Sequence, residues 1–225
     1  MITLFNIILT LSVYKLALYL GRKYPSPITT PVFLSTVIII IILLVLNLSY
    51  NEYTPAKNIM SYWLGPATVA LAIPIYKNWK LFSNYLPAAV IGILIGTIMT
   101  ISSAIVIAKA FKLPKMILIA LSMKSVTVPV ASEIGRVLNG NIPLIAAFVI
   151  ITGMIGAMFG PKLLSLFKIN HPFARGLSIG TISHGIGTAE AVKEGEIQGA
   201  VAGAAMGIAA ILSSFLIPYI IPLLF

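Results

Sequence analysis

Apolar residues in this chain of 225 come in long runs, at 2–20, 30–49, 84–111, 142–167 and 198–224, with polar residues gathered between them. Crossing about 30 Å of hydrocarbon takes about 20 apolar residues in a helix, so each run predicts a membrane span. Three weaker segments, at 59–77, 115–138 and 173–195, are interrupted by Pro, Gly and hydroxyl side chains. The longest polar stretches, 50–58 and 168–175, are loop-sized. Residues 1–20 lack a basic start and run into Gly21-Arg22-Lys23 rather than a small-residue cleavage site, so they read as a first span and not as a signal peptide.

Composition sharpens this picture. The chain is 59% hydrophobic and 9% charged, where soluble domains carry about 25% charged residues. The expected setting is the cell's inner (cytoplasmic) membrane, with the lipid bilayer as solvent. With no cysteine, disulfides, thiolate metal sites and cysteine nucleophiles are excluded. The net charge of +10 is spread singly between apolar runs. That pattern suits anionic headgroups and argues against a nucleic-acid partner.

The basic residues also constrain topology. Arg22 and Lys23, then Lys109, Lys112 and Lys115, then Lys162, Lys168 and Arg175 each follow an apolar run. The positive-inside rule puts all three clusters on the cytoplasmic side. Three segments separate the first two clusters, so a broken or re-entrant element at 59–80 is needed, which leaves Lys77 and Lys80 outside. Residues 1–111 then read as span, span, broken element, span, and 115–225 repeats that order from the opposite face. The expected fold is an all-α polytopic membrane protein, a single integral domain over 1–225. It would hold about seven to eight transmembrane segments in two inverted repeats with broken or re-entrant helices, a ground plan of secondary transporters. A short echo, Gly65-Pro66-Ala67-Thr68 against Gly185-Ile186-Gly187-Thr188, accompanies the repeat.

The interrupted segments hold the candidate chemistry. Pro66 and Pro74 lack an amide hydrogen and break the first. Bare backbone cannot face lipid, so Thr68 between the breaks either reaches a ligand or bonds its own backbone. In Lys124-Ser125-Val126-Thr127-Val128-Pro129, Pro129 frees the carbonyl of Ser125. A lysine in an apolar stretch either snorkels to the interface or binds an anion; about 13 Å from Lys115 along a helix, Lys124 favours the second. Glu133 and Arg136 read as a local pair. In Ser183-His184-Gly185-Ile186-Gly187-Thr188, the glycines can unwind the chain to present bare amides to an anion, and His184 can add a proton or a hydrogen bond. Glu190 is either a coupling carboxylate or a solvated helix end beside Lys193. Gly199, Gly203 and Gly207 form a small-residue face for helix packing, within the fold or in a homo-oligomer. His184 and Glu190 are too few for a metal site, His171 lies in a basic loop, and no catalytic set or cofactor is expected.

Several of these motifs together resemble the LrgB/CidB family of bacterial membrane proteins: Leu64-Gly-Pro-Ala-Thr-Val-Ala-Leu-Ala72, Lys124 to Pro129, Ile151-Thr-Gly153, Phe159-Gly-Pro161, His171-Pro-x-Ala-Arg-Gly176 and Ser183 to Ala189. They run in order from about residue 60 to the C-terminus. Val128 stands where many relatives carry Thr. The resemblance implies two functions. One is a secondary transporter of small monocarboxylates such as pyruvate, glycolate or glycerate. The other is an antiholin- or holin-like regulator of murein hydrolase activity and autolysis, acting with an LrgA/CidA-type membrane partner.

Overall fold

In a computed structural model, residues 2–63, 66, 69, 72–77 and 79–224 are described, and they are helical or in the turns between helices. The chain divides into two compact units, Met1–Ala70 and Leu71–Phe225.

In the first unit, α1 (Ile2–Lys23) is long and apolar enough to cross a membrane. α2 (Pro31–Val45) is only 15 residues, about 22 Å at 1.5 Å per residue, so the run 30–49 yields a helix shorter than the expected span. The polar stretch 50–58 is no loop. It lies in α3 (Tyr50–Tyr62), opened by a capping box in which Ser49 and Glu52 satisfy each other's backbone amides. The Ser49 amide and then its hydroxyl hold the Glu52 carboxyl below the usual carboxylate range. α2 and α3 both pack on α1. Buried Asn6 donates to the Glu52 carbonyl at 3.1 Å, and the Thr10 and Tyr53 hydroxyls bond at 2.8 Å.

In the second unit, short helices α4 (Ala72–Lys77) and α5 (Trp79–Asn84) precede α6 (Leu86–Ala110). Then come α7 (Lys115–Ser122), α8 (Val128–Val137), α9 (Ile142–Leu166), α10 (Pro172–Glu194) and α11 (Glu196–Ile220). The helices α6, α9 and α11 have spanning length and hydropathy. Half of the most apolar stretch of α11 is buried, against 28% for α6 and 22% for α9, so α11 is the hub and the other two expose more apolar surface.

Segment 115–138 is expected to cross and does not. α7 and α8 are 8 and 10 residues long and separated by a break at 123–127. Their outer ends come back together: Lys115, Met116 and Ile119 line one depression with Leu138, Asn139 and Gly140. The segment is a hairpin that enters and leaves at the same end of the unit. Its physical cause is Pro129, whose missing amide hydrogen suits the first turn of a new helix and not the interior of an old one.

α10 also doubles back. It is regular on either side of His184, where φ 41° and ψ −138° reverse the chain. Arg175 near its start pairs with Glu194 at its end at 2.6 Å. Ile179 and Ala191 share one buried cluster with Ala202 of α11. Unwinding is expected at Gly185 and Gly187; the break falls at His184, one residue before the first of them, and it reverses the chain. Gly187 serves closeness instead, because a Cβ there would meet Ser183 Cβ at 2.3 Å and Ile179 Cγ2 at 2.9 Å.

The two hairpins enter from opposite ends. Ile105 and Ala108 of α6 share a core with Leu118, Ile145 and Ile217, which fixes one end. At the other, Ala89 packs with Phe173 and Val201, and the Tyr85 ring meets His171 and Phe173. The unit therefore runs span, hairpin, span, hairpin, span. A single crossing, α9, separates Lys109, Lys112 and Lys115 from Lys162, Lys168 and Arg175, so these clusters lie at opposite ends rather than on one side.

Candidate functional site

Both hairpin tips reach the middle of the unit, and α9 supports the second. Gly153 and Gly156 stand near the midpoint of this 25-residue helix. A Cβ on Gly153 would lie 2.5 Å from His184 Cε1, and one on Gly156 would overlap the Ser183 hydroxyl. Only glycine at both positions lets the tip seat. The seated imidazole is 4% exposed, with Nε2 2.9 Å from the carbonyl of Val149. A carbonyl only accepts, so Nε2 carries the hydrogen, and in the neutral ring Nδ1 is left as acceptor. Backbone in the positive-φ region costs a non-glycine residue on the order of 1–3 kcal/mol, a strain the surrounding packing must hold.

The first tip carries Lys124. Its Nζ donates to the Thr100 hydroxyl at 2.5 Å, and lies 3.4 Å from both the Thr100 carbonyl and the Ser125 hydroxyl. The Thr100 and Ser125 hydroxyls bond at 2.9 Å. Thr100 is near the midpoint of α6, so the ammonium sits deep, and snorkelling to an end is ruled out by its bonds. No carboxylate among the described residues lies within 4.0 Å of it; Glu133, Glu190 and Glu194 are paired with Arg136, Lys193 and Arg175.

A cavity of about 390 Å³ joins the two tips. Lys124 comes from one hairpin, Ser178 and Ser183 from the other, and Thr152 and Gly156 from α9; Phe159, Leu163 and Ile182 supply apolar wall. One cation, several hydroxyls and otherwise apolar walls make a chamber suited to a small anion with a short carbon skeleton.

The other sequence candidates divide. Ser125 is buried and bonded to Thr100. Thr127 caps α8 by position without a side-chain bond and does not line the chamber. Thr188 donates to the His184 carbonyl at 2.8 Å, so it satisfies the broken backbone rather than facing the cavity. Gly185 is exposed, and a Cβ there would make only ordinary contact with Met206. Glu190 pairs with Lys193 at 2.6 Å, the solvated-end alternative. Pro66 is helical and exposed, Pro74 lies within α4, and Thr68 falls outside the described residues. The Glu133–Arg136 pair forms as expected. Gly199 packs against Val192, within the fold.

Sequence reasoning missed Thr100 and Gly156, and it quoted Thr152 and Gly153 only within the motif Ile151-Thr-Gly153, without a role in the site. The available signal was small and hydroxyl residues inside otherwise unbroken apolar runs. Among the described residues, no group of three or more His, Asp or Glu could hold a metal ion.

Four apolar helices of spanning length, two of them bracketing each chain reversal at mid-depth, define a polytopic helical membrane protein. The chain belongs to the LrgB-like family, whose model matches residues 10–223, including the N-terminal helices that carry no recognisable motif. It is 33% identical over 196 residues to "Uncharacterized protein YxaC" of Bacillus subtilis, covering 87% of this chain and 85% of the relative. It is 32% identical over 190 residues to "Holin-like protein CidB" of Staphylococcus aureus, covering 84% and 83%. No solved structure matches the chain.

Proposed function

We propose that this protein is a secondary transporter of small monocarboxylates across the cytoplasmic membrane, working by alternating access. One observation carries the reading: Lys124, without a carboxylate partner among the described residues, lines a chamber between the tips of two hairpins that enter from opposite ends. Broken helices meeting at mid-depth are the usual setting of a transported ion or substrate. A single cation fits one carboxylate and leaves a second one unpaired, which a buried site penalises.

The inverted repeat that the geometry supports is shorter than the expected halves. It pairs 86–138 with 142–194, each a span followed by a hairpin. α6 and α9 are both 25 residues, both with proline at the second position. Both also end on a lysine in the left-handed region, Lys112 (φ 52°) and Lys168 (φ 57°). The two spans run in opposite directions, as an inverted pair requires.

Uptake into proteoliposomes tests the function, screened over pyruvate, lactate, glycolate, glycerate and acetate in sodium-free buffer. The expected result is saturable uptake of at least one, abolished by Lys124→Ala and by His184→Ala. The relative's name, holin-like, favours a second reading: a pore or lysis regulator acting with an LrgA/CidA-type partner or as a homo-oligomer. Purified protein that takes up none of the five acids yet leaks large dyes overturns the carrier and supports that alternative.

A further inference from the structure

The lysine that faces the chamber is itself held the way transporters hold a coupling cation. Its Nζ has three hydrogen-bond partners among the described residues, the Thr100 hydroxyl at 2.5 Å and the Thr100 carbonyl and Ser125 hydroxyl at 3.4 Å. One helical turn earlier on the same face of α6, the Thr97 hydroxyl is 1% exposed and has no hydrogen-bond partner among the described residues. Carriers with discontinuous helices bind Na⁺ through unwound carbonyls and half-helix ends, and here the oxygens are a carbonyl and a hydroxyl of the unbroken α6 beside a hydroxyl of the hairpin tip. An ammonium occupies them, tethered by its own side chain.

We infer that Lys124 is a built-in replacement for a coupling alkali cation, so that the wild-type protein binds and moves its anion without Na⁺. An alkali ion entering the same oxygens would stand against a fixed positive charge in a poorly hydrated interior, where repulsion is strong. The tethered charge also has a use that a free ion would otherwise serve: it neutralises the anion at mid-depth. Removing the ammonium while keeping Thr100 and Ser125 turns the tip into an oxygen site open to a free cation.

The inference rests on the carrier reading for its meaning in transport, but half of its test needs no substrate. Thermal unfolding of detergent-purified protein is compared in NaCl, KCl and N-methylglucamine chloride at equal ionic strength. Wild type should unfold at the same temperature in all three. Lys124→Ala should be stabilised by NaCl or KCl, and the double variant Lys124→Ala/Thr100→Val should lose that response. In the uptake arm, exchanging Na⁺ for N-methylglucamine should leave wild-type uptake unchanged. For Lys124→Ala, Na⁺ should restore measurable uptake where the sodium-free buffer gives none. Wild-type protein that needs Na⁺ for uptake, or that Na⁺ specifically stabilises, overturns the inference. So does a folded Lys124→Ala protein indifferent to alkali cations. If that variant does not fold in any salt, the wild-type arms still decide. Failure of wild type to take up any carboxylate sinks the carrier, whereas the unfolding arm reads the cation site separately.

Discussion

Replacing Gly153 or Gly156 by alanine should unseat the second hairpin, and the size of the effect follows from a few distances. The added methyl of Gly153→Ala would stand 2.5 Å from His184 Cε1, 2.7 Å from Nε2 and 3.0 Å from Ile186 Cδ1. The ring must move, and its hydrogen bond to the Val149 carbonyl is lost with it. Overpacking of this kind costs about 1–3 kcal/mol, and the bond adds about 1 kcal/mol. The Gly156→Ala methyl would stand 2.6 Å from Ser183 Cβ, so turning the hydroxyl away does not relieve it. Gly153→Ala should therefore lose about 2–4 kcal/mol of stability, and Gly156→Ala, which leaves the His184–Val149 bond in place, about 1–3 kcal/mol. The control is Gly207→Ala, where a Cβ meets nothing within 4 Å; helix propensity there predicts a gain of about 0.5–1 kcal/mol. Thermal unfolding in detergent reads stability, and proteoliposome uptake reads the chamber, which Gly156 and Ser183 both line. If both alanine variants match wild type in stability, the tip does not dock on α9 and the proposed chamber is not the one the protein uses.

Two further outcomes are expected. His184→Gly should be as stable as His184→Ala or more so, by about 1 kcal/mol, because glycine accepts φ 41° without strain, yet both should lose uptake; His184→Gly unfolding well below His184→Ala would show that the reversal at this residue is wrong. Membrane-impermeant labelling of single cysteines should find Ser83→Cys and Lys168→Cys on one face of the membrane and Lys112→Cys on the other; labelling of 112 and 168 from the same face would mean that 115–138 crosses after all.

Which parts of this arrangement were legible in the sequence follows from what each signal measures. Hydropathy runs report length in lipid, and they located α1, α6, α9 and α11 to within a few residues. They cannot tell a crossing from a return, because a weakly apolar segment of 23 or 24 residues has the length of one span and also of two short arms. Pro129 marked a break in 115–138 but not the direction taken after it, and that ambiguity reversed the side assigned to the Lys109–Lys115 cluster. The turn at His184 was harder still. Glycines are the residues that accept positive φ cheaply, so Gly185 and Gly187 drew the expectation, while a strained histidine made the turn and Gly187 allowed the arms to close. Helix α3 was missed although Ser49 and Glu52 have the spacing of a capping box, because its polar composition read as loop. Lys124, Ser125 and Ser183 could be picked out because polar groups are expensive in an apolar stretch. Thr100 and Gly156 could not, because their meaning lies in what another segment brings against them.

The reversal at His184 takes a single residue, with helix on either side. A turn that short has no slack. Its two arms are tied at the far end by Arg175, whose guanidinium also reaches the carbonyls of Pro161 and Ile169. The second hairpin is therefore a stiff strut, anchored at its base and jammed at its tip, rather than a flap that opens by loosening a loop. Under the proposed alternating access, a change in the side from which the chamber is reached would tilt the strut as a whole, with the bending at its base rather than at its tip.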